Sequence, residues 1–233
     1  MILYVNGDSH TAAAEAVNAH AFAMDDVKYF YLGRAPHPDN LAVSWARRLA
    51  ETVKYTLNCD AESASSNARI IRTTKDWLAK KNSVDASLLI IQWSTWEREE
   101  WLIDGVYHQI NASGIDHVPQ SHQAKYKQYI IDIDWKQKTQ QAHDAIWKLH
   151  LKLRKKNLPH VFFNGNNCFE SIEKRKDWGI NYIDPYSTAG TFNNVLLKAG
   201  FNTVAADNMH FDAEGHAFWS RFMLNYLMTH KLI

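Results

Sequence analysis

Short apolar runs alternate along the chain with stretches in which apolar positions recur every three or four residues. Ile2 to Val5 reads as a first strand closed by Asn6-Gly7-Asp8, and a helix is predicted to begin at Thr11 with Ala12, Ala13, Ala14 and Glu15 behind it. Ser9 is thereby expected in a strand-to-helix turn. Leu41, Trp45, Leu49 and Val53 follow Pro38-Asp39-Asn40 at four-residue spacing, and Tyr55 to Asn58 reads as a second strand. A third helix over about 67–81 leads into Ala86-Ser87-Leu88-Leu89-Ile90-Ile91, an uninterrupted apolar run of the kind buried on both faces of a sheet. A long helix is expected from Trp135 to Lys156, stopped near Asn157-Leu158-Pro159. Strands at Val161-Phe162-Phe163 and Tyr182-Ile183 come next, and a last helix runs from Asp212 to about His230.

This alternation predicts one domain over residues 1–233. The expected fold is a three-layer α/β/α, flavodoxin-like doubly wound sheet of five parallel strands, whose sites gather at the carboxyl ends of the strands. Only between 94 and 135 does the pattern loosen, into aromatic, glycine- and histidine-containing sequence too long for a bare connection. That stretch is expected to form a lid or pocket wall.

Hydrophobic residues make up 46% of the chain and charged residues 22%, which fits a folded globular protein and excludes a disordered one. The net charge is +1, and the basic cluster Lys148, Lys152, Arg154, Lys155 and Lys156 sits at one predicted helix end, where cations suit the dipole, so nucleic acid is not an expected partner. The start Met1-Ile2-Leu3-Tyr4-Val5 enters a strand directly, and no run of about 18 apolar residues occurs later, which predicts neither a signal peptide nor a membrane span. With Cys59 and Cys168 unpaired by any motif, two reduced thiols in a cytoplasmic setting are expected.

Candidate chemistry lies at the two ends of the chain. In Gly7-Asp8-Ser9-His10 the serine comes directly after a buried strand, so its amide and hydroxyl are expected to face one space, the arrangement a nucleophile needs. Near the other end, Asp207 and His210 are three residues apart, which lets a carboxylate reach the imidazole Nδ1 while Nε2 faces a nucleophile. Asp207 would hold the tautomer, and His210 would move the proton of Ser9. A plain helix cap at Ser9 and a turn at Asp207 fit the same residues.

Gly7-Asp8-Ser9-His10 and Asp207-x-x-His210 together resemble blocks I and V of the SGNH, or GDSL-type, hydrolase superfamily. Ser44-Trp45-Ala46-Arg47-Arg48-Leu49-Ala50 resembles the helix before the second strand, and the run from His210 to Gly215-His216 resembles the extension of block V, so the resemblance spans nearly the whole chain. The 94–135 insertion is similar in character to phage-encoded members, which implies a host cytoplasm or a virion as setting. The middle blocks depart from the pattern: Ala64, or Ser65, stands where block II has glycine, and Ser94 stands for the block III asparagine, with Thr95 or Arg98 as substitutes. The resemblance implies a serine esterase without a cofactor. Its triad would be Ser9, His210 and Asp207, its oxyanion hole Ser9, Ala64 and Ser94, and its substrate a small-molecule or carbohydrate ester, such as an O-acetyl sugar.

Three other readings compete. Asp8-x-His10, with Asn164-Gly165-Asn166-Asn167 and Gly215-His216, is a partial match to a metal-dependent phosphoesterase, although Asn167 and Phe218 stand where histidines would be needed. His143 with His150, or His117 with His122, would place two metal ligands together, and Trp93, Trp96 and Trp101 would suit a sugar platform or a core. The altered middle blocks also fit a non-catalytic binding module of the same fold.

Overall fold

The computed structural model describes residues 1–21, 35–80, 87–112, 114, 115, 118–206 and 208–233. Four parallel strands form its sheet: β1 (Ile2–Asn6), β2 (Thr56–Cys59), β3 (Ser87–Trp93) and β6 (His160–Asn164), in the order β2-β1-β3-β6. This is the doubly wound order with β1 central and crossovers on both sides. The expected fifth strand at Tyr182-Ile183 is reduced to one parallel bridge, Phe162 to Tyr182, closed by the Ile183 amide on the Phe162 carbonyl. Asp184 comes next in a left-handed conformation, φ 38°, and turns the chain off the sheet edge.

Alternation along the strands builds two cores. Leu3, Val5, Leu88, Ile90, Val161 and Phe163 face one side, where α2 (Trp45–Val53), α6 (Phe192–Lys198) and α7 (Ala213–Thr229) bring Trp45, Leu49, Leu196, Trp219 and Met223. Tyr4, Leu89, Ile91 and Phe162 face the other, against Ile70 and Trp77 of α3 (Asn67–Ala79) and Ile146, Leu149 and Leu153 of α5 (Trp135–Lys155). The predicted three-layer α/β/α architecture is the observed one. The single helix implied by Leu41 to Val53 is two, α1 (Pro38–Ala42) and α2, because Ser44 is an N-cap whose hydroxyl accepts from the Arg47 amide.

The expected helix after Ser9 does not form. Residues 8–16 are successive turns, with Ala13 and Glu15 both left-handed at φ 55° and 63°, and a left-handed residue ends a right-handed helix. Buried Asn40 holds the segment just beyond: its Oδ1 accepts from the Val17 and Asn18 amides, and its Nδ2 donates to the Asn18 and His20 carbonyls.

The 94–135 stretch has structure of its own. β4 (Glu99–Ile103) and β5 (Val106–Ile110) form an antiparallel hairpin around Asp104-Gly105, both with positive φ, and α4 (Gln123–Ile131) packs Tyr126 onto Trp101, Ile103 and Ile110. Arg72 of α3 grips Glu100 through two hydrogen bonds of 2.8 and 2.6 Å, and Lys138 of α5 pairs with Glu99. No described helix is long and apolar enough to cross a membrane, and Cys59 and Cys168 are free thiols.

The histidines considered as metal ligands on α5 are core residues. His143 Nε2 meets the Tyr186 hydroxyl at 3.0 Å, and His150 Nδ1 meets His160 Nε2 at 2.9 Å while His160 Nδ1 donates to the Leu158 carbonyl. His117 lies outside the described residues, and the His122 ring meets the Ser121 hydroxyl. Trp93, Trp96 and Trp101 are all buried. Burial, aided by neighbouring positive charge, holds His150 and His160 down to about 4, and burial with the His10 and His210 rings holds His216 down to about 3. An unfolded histidine takes its proton near 6.5, so between that pH and about 4 the unfolded chain binds more protons than the folded one. Stability is therefore expected to be nearly flat between about pH 7 and 8 and to fall steadily from about pH 6.5 to pH 4, which urea midpoints measured from pH 4 to 8 would show.

Candidate active site

The carboxyl ends of β1 and β3 meet over a buried carboxylate. Asp8 Oδ1 accepts from the His10 amide at 3.1 Å, His10 Nδ1 at 2.9 Å and Gln92 Nε2 at 2.7 Å; Oδ2 accepts from the Ser94 hydroxyl at 2.7 Å and Arg98 at 3.1 Å. Burial by itself would raise the Asp8 pKa. The charges and hydrogen bonds of His10, Arg98 and Ser94 outweigh it and hold the group well below the carboxylate range. Gln92 is fully buried, its Oε1 accepting from the Asp8 amide and the Thr11 hydroxyl. A Cβ on Gly7 would stand 2.7 Å from that Oε1, and one on Gly165 would stand 2.6 Å from Nε2, so both turns need glycine to approach the amide.

Ser9 lies in this turn, 6% exposed. Among the described residues neither its hydroxyl nor its backbone amide has a hydrogen-bond partner. Because the chain turns instead of entering a helix, no helix N-terminus backs the Ser9 amide.

Ala64 lies in the loop after β2, left-handed at φ 63°, which is the conformation that makes glycine the ordinary choice at this place. Arg69 staples the loop: it donates to the Asp60 carbonyl at 2.9 Å and the Ser65 hydroxyl at 3.2 Å, and pairs with Glu62. The Glu62 amide reaches the Gly7 carbonyl at 3.3 Å, which ties the loop to the Ser9 turn. The amide of Ala64, like that of Ser9, is not used by another described residue.

Ser94 departs from the expected arrangement. Its one hydroxyl proton goes to Asp8, its amide to Asn67 Oδ1 at 2.9 Å, and Arg98 donates to its oxygen at 2.9 Å. In this structure it braces Asp8 and holds no donor ready for an incoming oxygen. Thr95 and Arg98 are engaged in the same way, with Glu97 and with Asp8.

His210 stands in the loop before α7, its ring centroid 5.9 Å from that of His10 and nearly perpendicular to it. Its Nδ1 meets Glu15 Oε2 at 2.7 Å, and Nε2 makes no hydrogen bond to a described residue, the Ser9 hydroxyl included. Since a carboxylate only accepts, Nδ1 carries the proton and Nε2 presents a lone pair. Burial lowers the His210 pKa and the His10 ring lowers it further, against the hydrogen bond and charge of Glu15 and the charge of Asp8. Asp207, expected at Nδ1, lies outside the described residues. Glu15 escapes a reading of the sequence because residue 15 of a helix starting at Thr11 would have no reason to face His210.

Residues of the phosphoesterase reading are engaged in hydrogen bonds of the fold. Asp8 holds His10, Asn164 Oδ1 accepts from the Tyr182 hydroxyl at 2.5 Å, and His216 Nδ1 accepts from the Trp45 amide at 3.4 Å. Among the described residues no group of three or more His, Cys, Asp or Glu side chains is placed to hold a metal ion.

No curated protein matches the sequence. Among solved structures, an acetyl xylan esterase (Est2A) from the rumen bacterium Butyrivibrio proteoclasticus aligns at 14% identity over 98% of this chain, with a TM-score of 0.49. The chain spans 64% of the length of that esterase. The psychrotrophic esterase EstA from Pseudoalteromonas sp. aligns at 9% identity over 98% of this chain and 97% of its own, with a TM-score of 0.48. A member of the lipolytic protein G-D-S-L family from Veillonella parvula aligns at 12% identity over 98% of this chain and 97% of its own, with a TM-score of 0.44. Residues 37–177, more than half of the chain, match the model of a family of unknown function (DUF6071), a stretch that includes Ala64, Gln92, Ser94 and Arg98, and the chain belongs to that family.

Proposed function

We propose that the protein is a serine esterase whose nucleophile is Ser9. The observation that carries this reading is His210. Its Nδ1 is committed to a carboxylate, its Nε2 lone pair meets no described residue, and it stands beside the turn that holds Ser9. Two backbone amides that no described residue uses, of Ser9 and Ala64, would supply donors for a developing oxyanion.

In this mechanism Ser9 Oγ attacks an ester carbonyl as His210 Nε2 takes its proton, and the tetrahedral oxyanion rests on the two amides. Collapse breaks the bond to the alcohol, which leaves with the proton from His210. Water then attacks the acyl-serine, giving its proton to His210; the carboxylic acid departs and Ser9 is restored. The resemblance to SGNH hydrolases favours small acyl esters, O-acetyl carbohydrates among them. Ser94, expected as a third oxyanion donor, serves here to hold Asp8.

A fluorophosphonate probe is expected to label the protein but neither Ser9→Ala nor His210→Ala, and hydrolysis of p-nitrophenyl acetate is expected to fall roughly a thousandfold or more in both. Absence of labelling in the unaltered protein sinks the esterase reading and leaves the binding-module one. Chelator-sensitive cleavage of p-nitrophenyl phosphate, without action on the acetate, favours the phosphoesterase.

Because His210 works only unprotonated and its pKa is lowered, the labelling rate should rise with pH along a limb whose midpoint lies below 6.5 and level off by about pH 7. Rates measured between pH 4.5 and 8 test this.

Ser94→Ala is expected to lower stability by about 1–2 kcal/mol through the lost bond to Asp8 and to leave turnover within a few-fold. A loss on the order of a hundredfold in turnover at unchanged stability would return Ser94 to the oxyanion hole.

A further inference from the structure

Glu15 is reached from two sides. Its Oε2 accepts from His210 Nδ1 and from Asn208 Nδ2, each at 2.7 Å, while Asn208 Oδ1 accepts from the His210 amide at 3.1 Å. The carboxylate thus fixes the ring and the backbone that carries it. Left-handed backbone is unfavourable for any residue with a Cβ, and it persists at both Ala13 and Glu15 because buried Asn40 anchors residues 17, 18 and 20 just beyond them. A regular helix from Thr11 would direct residue 15 by helical periodicity, with no turn to aim it at the loop before α7.

We infer that Glu15 is the carboxylate that sets the tautomer and orientation of His210, the part that the family resemblance assigns to Asp207. This rests on the reading of His210 as the acid–base partner of Ser9. The Nδ1 position holds one proton, and Glu15 takes it. Glutamate in the turns after β1 reaches the same nitrogen that an aspartate three residues upstream of the histidine would reach, so the triad is assembled as Ser9, His210 and Glu15. Glu15 is a positioning residue: it touches no reacting atom, and it acts by presenting Nε2 as a base and by stabilising the imidazolium that forms when Ser9 loses its proton.

Among the described residues the charged and titratable groups around His210 are Glu15, His10, Asp8 and His216. Glu15 and Asp8 favour its protonated form, whereas burial and the His10 ring oppose it. Replacing Glu15 by glutamine keeps an acceptor for Asn208 and removes the charge, so burial and His10 act with less opposition and the His210 pKa falls further.

The test is long-range 1H–15N NMR of the histidine rings across pH 4–8, with fluorophosphonate labelling, on the unaltered protein and on Glu15→Gln, Glu15→Asp and Asp207→Asn. The Nδ1-protonated tautomer is expected for His210. Glu15→Gln should lower its titration midpoint by roughly one unit and slow labelling about a hundredfold. Glu15→Asp should recover part of both, and Asp207→Asn should leave both within twofold. A midpoint that shifts with Asp207→Asn and ignores Glu15→Gln overturns the inference. If no protein is labelled and the midpoint still shifts with Glu15, the pairing stands and the Ser9 esterase reading falls.

Discussion

A carboxylate shut away from water must be met by hydrogen bonds on every open position, and Asp8 imposes that condition on the middle of this molecule. The five donors come from three places: the turn after β1, the end of β3, and Arg98 at the root of the 94–135 excursion. Gln92 is drawn in so tightly that only glycine fits at positions 7 and 165 on either side of it. The turn after β1 and the end of β3 are thus tied together by a single charge, with Gly165 after β6 packed against the Gln92 amide. Removing any one donor leaves the others facing a deficient acceptor, which is why a network of this kind is worth more than its separate bonds.

Around that charge two carboxylate–imidazole pairs lie nearly at right angles. Asp8 and His10 form the inner one, edge-on to Phe192. Glu15 and His210 form the outer one, with the Glu15 side chain 30% and the His210 side chain 22% exposed. The inner pair lies within the hydrogen-bond network around Asp8 and fixes backbone, whereas the outer pair keeps contact with solvent.

The apolar periodicity made the sheet and its covering helices legible: Leu88 to Ile91 face alternate cores, and α5 buries positions 139, 142, 143, 146, 149, 150 and 153 at helical spacing. Alternation does not report where a strand loses its partner, so Tyr182-Ile183 reads as a strand although it keeps one bridge. The Asp104-Gly105 pair between Glu99–Ile103 and Val106–Ile110 is a hairpin signal by its turn chemistry, and aromatic clutter conceals it. At the candidate site, Ser9 and His210 stand out in the sequence as residue types at the ends of elements. The helix expected after Ser9 hides Glu15, because a run of alanines favours helix locally and tertiary anchors such as Asn40 override that preference. Ser94 stands where a donor is expected, yet the lone pairs of Asp8 claim its proton first.

The central position of β1 bears on how the molecule comes into being. The strand is made before both of its neighbours, β2 and β3, and His210 is added about two hundred residues after Ser9. At ribosomal speeds of about 5–20 residues per second, that interval is roughly 10–40 s. Until β3 is complete at Trp93 the nascent chain carries β1 with one or both edges open, and pairing over such sequence distances is slow because loop closure precedes any gain from contact. The pairing of Glu15 with His210 can therefore form only late, when the loop before α7 has been made.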